Sequence, residues 1–194
     1  MPHQFNVNWV WEVPFGKGRW LAGDASKPVD ALIGGWQFSG IARWTSGLPI
    51  GVSNGAQWPT NWQQSGFATQ IAPVTTAGAV KNPDGSVNLF GNASAAAAAL
   101  ASYAPDLPGQ VGARNTLRGN GFAGLDLSLD KSWKMPWNES HTLQFRWEVF
   151  NALNLTRFDV QSLNLSITNS STFGDYSGLL TSPRVMQFAL RYEF

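Results

Sequence analysis

Arg184-Val185-Met186-Gln187-Phe188-Ala189-Leu190-Arg191-Tyr192-Glu193-Phe194 is the stretch whose reading decides the fold. At a period of two, Met186, Phe188, Leu190, Tyr192 and Phe194 fall on one side and Val185, Gln187, Ala189, Arg191 and Glu193 on the other. That alternation marks a β-strand with one apolar face. Residues 141–150 repeat it, setting Leu143, Phe145, Trp147 and Val149 against Gln144, Arg146 and Glu148. Residues 122–133 set Ala123, Leu125, Leu127, Leu129 and Trp133 against Gly124, Asp126, Ser128, Asp130 and Ser132. The connection between those two, Lys134-Met135-Pro136-Trp137-Asn138-Glu139-Ser140, is short enough for a hairpin.

Further upstream, residues 36–45 alternate Trp36, Phe38, Gly40, Ala42 and Trp44 with Gln37, Ser39, Arg43 and Thr45, broken only by Ile41. Residues 4–13 alternate Phe5, Val7, Trp9, Trp11 and Val13 with Gln4, Asn6, Asn8 and Glu12. Between these two strands, Pro28 to Ile33 reads as one helical turn before Gly34-Gly35. Two long segments, near 46–121 and 151–183, hold no period and are rich in Gly, Pro, Asn, Ser and Thr. Segments of that length are expected to be functional or external loops. In the first of them, Asn92 or Ser94 would cap a short helix through Ala95–Leu100, ended by Pro105. The expectation is an all-β chain: an antiparallel up-and-down meander of about five strands near 4–13, 36–45, 122–133, 141–150 and 184–194, open and curved in isolation.

Composition narrows the class. Charged residues are 13 % of the chain, about half the share usual in soluble domains, while Gly counts 20, Trp 10 and Phe 12. A net charge of +1 without a basic tract gives no footprint for nucleic acid, so no nucleic-acid partner is expected. There are no cysteines, which excludes disulfides and thiolate metal sites. His3 and His141 stand apart without a second histidine at ligand spacing, so neither a metal nor a cofactor is expected. The first residues show no basic region followed by an apolar core, and no run of eighteen apolar residues exists for a membrane helix. The expectation is a C-terminal fragment of a longer exported protein.

The aromatic residues test whether the apolar face meets lipid. Strands joined in sequence alternate in direction, so one rim collects Trp11, Trp36, Trp133, Tyr192, Phe194 and, in the hairpin turn, Trp137. The opposite rim collects Phe5, Trp44 and Phe122 and emits both long loops. Two aromatic belts, short turns at one end and long loops at the other are what a bilayer imposes on a transmembrane barrel. Strands near ten residues suit a tilted crossing. Each outward Leu, Phe or Val is worth about 1.5–3 kcal/mol out of water, so such a face would not remain bare.

Several motifs give the expectation a family. An alternating last strand with Phe188, Leu190, Tyr192 and Phe194 on one side resembles the C-terminal assembly signal of bacterial outer-membrane barrels. Glu12-Val13-Pro14-Phe15-Gly16-Lys17-Gly18-Arg19 and Gly34-Gly35-Trp36-Gln37-Phe38-Ser39-Gly40 resemble a turn and strand of TonB-dependent receptor-like barrels of the Oar type. Arg114-Asn115-Thr116-Leu117-Arg118-Gly119, Asp126-Leu127-Ser128-Leu129 and Glu148-Val149-Phe150-Asn151-Ala152-Leu153-Asn154 continue the likeness in the same order. The resemblance implies a non-enzymatic part of a receptor or transporter in the bacterial outer membrane. It also implies partners: outer-membrane lipid, the remaining strands and plug of a parent barrel, the barrel-assembly machinery, and an energy-coupling complex reached through a missing N-terminal part. The plug, the coupling box and most of the strands that the family carries are not in this sequence.

Catalytic readings also attach to these residues. Asp126 and Asp130 share a side of one strand, and Arg146 and Glu148 face the same way on the next. With the turn centred near Trp137, both aspartates become diagonal neighbours of Arg146. Paired carboxylates can do acid–base work, but a lumen-side salt-bridge cluster explains them with less. Gly51-Val52-Ser53-Asn54-Gly55 matches a nucleophile elbow, with Asp126 or Asp130 and His141 in hydrolase order. Gly119-Asn120-Gly121-Phe122-Ala123-Gly124 spells a dinucleotide fingerprint. The elbow and the fingerprint each need a helix directly behind them, and neither is followed by a helical pattern. Loop aromatics around Trp58-Pro59-Thr60-Asn61-Trp62 suit sugar stacking, which leaves a soluble carbohydrate-binding β-sandwich as the principal alternative and a serine hydrolase using Ser53 as the lesser one.

Overall fold

The computed structural model describes residues 2–55, 66–101, 112 and 114–194. Five strands form one antiparallel sheet: β1 (Gln4–Glu12), β2 (Trp36–Thr45), β3 (Phe122–Met135), β4 (Asn138–Phe150) and β5 (Val185–Glu193). Each lies beside its neighbour in chain order, and β1 and β5 are free edges, so the meander does not close into a barrel. Helix α1 (Lys27–Ile33) occupies the connection between β1 and β2, with a proline in its first turn. Proline is tolerated there because the first N–H groups of a helix have no intrahelical acceptor.

Register separates the two faces. Trp147 stands opposite Leu129 and Phe188, Phe145 opposite Lys131 and Leu190, and Leu143 opposite Trp133 and Tyr192. On the reverse side Arg146 stands opposite Asp130 and Ala189, and Glu148 opposite Ser128 and Gln187. Trp9 joins the apolar side on β1, since its indole fills the space beside Gly40 where a side chain would stand.

The β3–β4 hairpin corrects the sequence reading. The strands run on to a two-residue turn at Pro136-Trp137, and the ladder then shifts between Asn138 and Thr142. Asn138 Oδ1 accepts from the backbone N–H and the hydroxyl of Ser140, at 3.1 and 3.0 Å, which stabilises the bulge. Asp130 is therefore paired with Arg146, two residues from the Gln144 expected for a turn centred near Trp137. A slip of two keeps every side chain on its face, because strand side chains alternate with period two.

The segments between strands form a second compact unit, made of Thr45–Phe122 and Thr156–Thr181 with the first residues of the chain. Three short pairs brace it: Pro49–Ile50 with Leu117–Arg118, Thr69–Gln70 with Leu100–Ala101, and Val80–Lys81 with Val87–Asn88. Helix α2 (Ala93–Ala98) starts at Asn92, whose Oδ1 accepts from Ala95 N–H at 2.9 Å. It ends before the expected Pro105, which lies outside the described residues, because Leu100 and Ala101 are taken up in pairing with Thr69–Gln70.

The best-buried apolar residues belong to this unit, among them Val52, Leu89, Phe90, Leu117 and Phe173. Phe90 stacks on Phe173 at 5.2 Å. Asn88 holds the pair in place, donating to Phe173 O at 2.7 Å and to Asp175 at 2.8 Å while accepting from Phe90 N–H. The aperiodic sequence thus conceals a core built from single residues on many short segments. Tyr176 packs against that core, and burial pushes its hydroxyl up to about 12.

Candidate functional site: a polar wall and a bare apolar face

The polar wall is assembled from three neighbouring strands. Ser128 Oγ donates to Asp130 Oδ2 at 2.7 Å, and Arg146 Nε donates to Asp130 Oδ1 at 2.5 Å. Arg146 Nη1 lies 3.9 Å from Glu148 Oε1, and Gln187 Nε2 donates to Glu148 Oε2. The result is a continuous relay of partners, Ser128–Asp130–Arg146–Glu148–Gln187, with the arginine half-exposed and Asp130 largely covered. A half-exposed ion pair contributes about 1 kcal/mol or less, so the wall is a minor source of stability, and with two carboxylates to one guanidinium it is net negative. A hollow of about 470 Å³ on this side is lined by Asn8, Ser39, Asp126, Ser128, Arg146 and Glu148, among others.

Asp126 does not join the relay as expected. Its Oδ1 accepts from Asn151 N–H at 2.8 Å, because β4 ends in a left-handed turn with Asn151 at φ 51° and Asn154 at the same value. Asparagine tolerates that conformation better than other side-chain-bearing residues. The Asn151 side chain then grips Leu155 and Ser182, and Asn154 Oδ1 accepts from Arg184 N–H at 3.0 Å. The Phe150-Asn151-Ala152-Leu153-Asn154 motif is thereby explained as a clasp that joins the two ends of the second loop.

On the other face the side chains are apolar but for Lys131, half-buried along β3 and β4 and exposed along β5. Phe188 lies 68 % exposed and Leu190 70 % exposed. Trp147 stacks on Phe188 at 6.0 Å with 3° between planes, and Phe145 joins Phe188 at 6.4 Å and Trp36 edge-on at 6.3 Å. A β-sandwich would need a second sheet sealing Trp9, Phe145 and Phe188, and Phe188 is not sealed. Of the tryptophans expected in a belt, Trp11 on β1 and Trp137 in the hairpin turn are both exposed, while Trp36 and Trp133 flank Lys131. Lys131 escaped the sequence reading. It interrupts the row Leu125, Leu127, Leu129, Trp133, and that break in the apolar series was the available signal.

The catalytic motifs are placed elsewhere. Ser53 lies in extended chain, its N–H bonded to Leu165 O and its carbonyl accepting from Ile167 N–H, in place of the sharp turn of a nucleophile elbow. Gly119-Asn120-Gly121 leads directly into β3 and not into a helix. The Trp58–Trp62 segment lies outside the described residues. Among the described residues no helix is long and apolar enough to cross a membrane, which says nothing of crossing by strands.

Comparison with known proteins agrees with this geometry. The family described as outer membrane beta barrel domain matches residues 1–187, nearly the whole chain. No curated protein and no solved structure matches it. With its open five-stranded sheet, one face polar and one apolar, the chain belongs to the outer membrane beta barrel domain family and is a protein of the bacterial outer membrane.

Proposed function

We propose that this chain supplies one wall of a larger outer-membrane barrel of the TonB-dependent receptor type. The observation that carries the reading is the segregation of the sheet: Arg146 and its partners on one side, and Trp147, Phe188 and Leu190 on the other, at neighbouring positions of the same strands. In this reading the apolar face meets lipid and the polar wall lines a water-filled lumen. The free edges of β1 and β5 pair with the strands of the parent barrel, since an exposed edge is a template for further pairing. Phe188, Leu190, Tyr192 and Phe194 on β5 are the residues the assembly machinery would read. The unit built on Thr45–Phe122 and Thr156–Thr181 is extracellular and meets the transported ligand.

Because the chain contains no cysteine, each introduced thiol is the only one within it. Ala189→Cys and Arg191→Cys are expected to react with a charged, water-borne maleimide in outer-membrane preparations, while Phe188→Cys and Leu190→Cys stay protected. Equal labelling of all four overturns the lipid reading. The receptor reading is tested separately by the DNA upstream of the codon for Met1, which is expected to continue in frame into further alternating strands and a plug; a stop codon there removes it.

A further inference from the structure

Lys131 faces the apolar side, opposite Phe145, yet is 1 % exposed. Its ammonium donates to Leu32 O at 3.0 Å and to Gly34 O, and lies 5.0 and 5.2 Å from the ring centres of Trp36 and Trp133. Both indoles turn their N–H groups to the same helix end: Trp133 Nε1 donates to Ala31 O at 2.6 Å, and Trp36 Nε1 to Leu32 O at 3.0 Å. The last carbonyls of a helix have no partner inside it, and a cation near them is favoured. A cation facing hydrocarbon alone is costly. Each side therefore supplies what the other lacks, and the C-terminal end of α1 is fastened to the apolar face near the β3–β4 turn.

On one side α1 meets the chain after β1, where Lys17 N–H donates to Asp30 Oδ1, and on the other its apolar side chains are exposed. Val29 is 46 % and Leu32 73 % exposed. One row further toward the turn, His141 Nδ1 meets the Tyr192 hydroxyl at 2.6 Å. Polar atoms among aromatics at a strand end are the mark of the water–lipid boundary.

We propose that the connection between β1 and β2 is a lipid anchor: α1, fastened through its C-terminal carbonyls to Lys131, Trp36 and Trp133, lays Val29 and Leu32 at the headgroup–acyl boundary of the leaflet on the short-turn side. The occupant is phospholipid, and the inference rests on the lipid reading of the apolar face. Helices that lie in the interface sink about 5–10 Å into that boundary.

The test uses the full chain in phospholipid vesicles, with a fluorophore on Leu32→Cys, Leu190→Cys or Arg191→Cys and lipids brominated at shallow or deep acyl positions. Loss of fluorescence is expected at Leu32 with shallow bromines and at Leu190 with either, but not at Arg191. In a Lys131→Met, Trp133→Phe background the loss at Leu32 is expected to disappear while that at Leu190 persists. Quenching at Leu190 without quenching at Leu32 overturns the anchor and leaves the lipid face standing. No quenching at either position removes the lipid face and the anchor with it. Undiminished quenching at Leu32 in the double variant shows that α1 binds lipid without the fastening, which overturns the role assigned to Lys131.

Discussion

Phe188→Arg and Gln187→Arg place the same charge one residue apart on β5, on opposite faces. Phe188 is five residues from Glu193, about 17 Å along the strand at ~3.3 Å per residue. With a tilt near 40°, that is a depth of about 13 Å, close to the middle of an apolar band about 25 Å tall. An arginine there costs about 2–4 kcal/mol, and losing the stack on Trp147 adds about 0.5–1.5 kcal/mol. The expected destabilisation is therefore about 3–5 kcal/mol. If the same face met water, a residue already this exposed would lose little beyond the stack, about 1 kcal/mol. Gln187→Arg would stand opposite Glu148, to which Gln187 already donates, and is expected to change stability by no more than about 0.5 kcal/mol in either direction. Urea unfolding of each full-length variant in phospholipid vesicles, followed by tryptophan fluorescence, reads both numbers. Equal shifts for the two variants, or a larger one for Gln187→Arg, would refute the assignment of faces.

A double-mutant cycle between Asp130→Ala and Arg146→Ala is expected to show coupling near 1 kcal/mol, reduced by the exposure of the arginine, while the cycle between Asp126→Ala and Arg146→Ala shows none; comparable coupling in both would restore the diagonal arrangement inferred from sequence. Gly40→Ala puts a methyl group on the Trp9 indole and is expected to cost about 1–3 kcal/mol in unfolding free energy. An unchanged midpoint would mean that Trp9 turns away freely. For Tyr176, the fold raises the hydroxyl from its ordinary value near 10 to about 12, so its contribution is complete below pH 10 and is lost as pH rises through 12. A spectroscopic titration of the phenolate should find Tyr176 ionising last or with unfolding, and Tyr176→Phe should remove that part of the alkaline loss; ionisation near 10 without unfolding would contradict its burial.

The strands were legible because a one-faced sheet writes its period directly into the chain: Met186 to Phe194 and Leu143 to Val149 can be read without coordinates. The membership of the polar cluster was only partly legible. Asp130, Arg146 and Glu148 come together, but Asp126 turns to Asn151, since one bulge at Asn138–Thr142 and one left-handed asparagine decide which neighbours meet. The core of Val52, Leu89, Phe90 and Phe173 had no period to betray it, because pairs of two residues are too short to alternate.

By itself, the sequence determined that this is an alternating β-chain with one face too apolar for water, because side-chain direction in a strand follows position alone. Only the tertiary structure decided how that face is finished at its rim. Lys131 stands among leucines and tryptophans, and its covering by the carbonyl end of α1 depends on backbone groups 97 and 99 residues away in the chain, a distance over which no local pattern carries information.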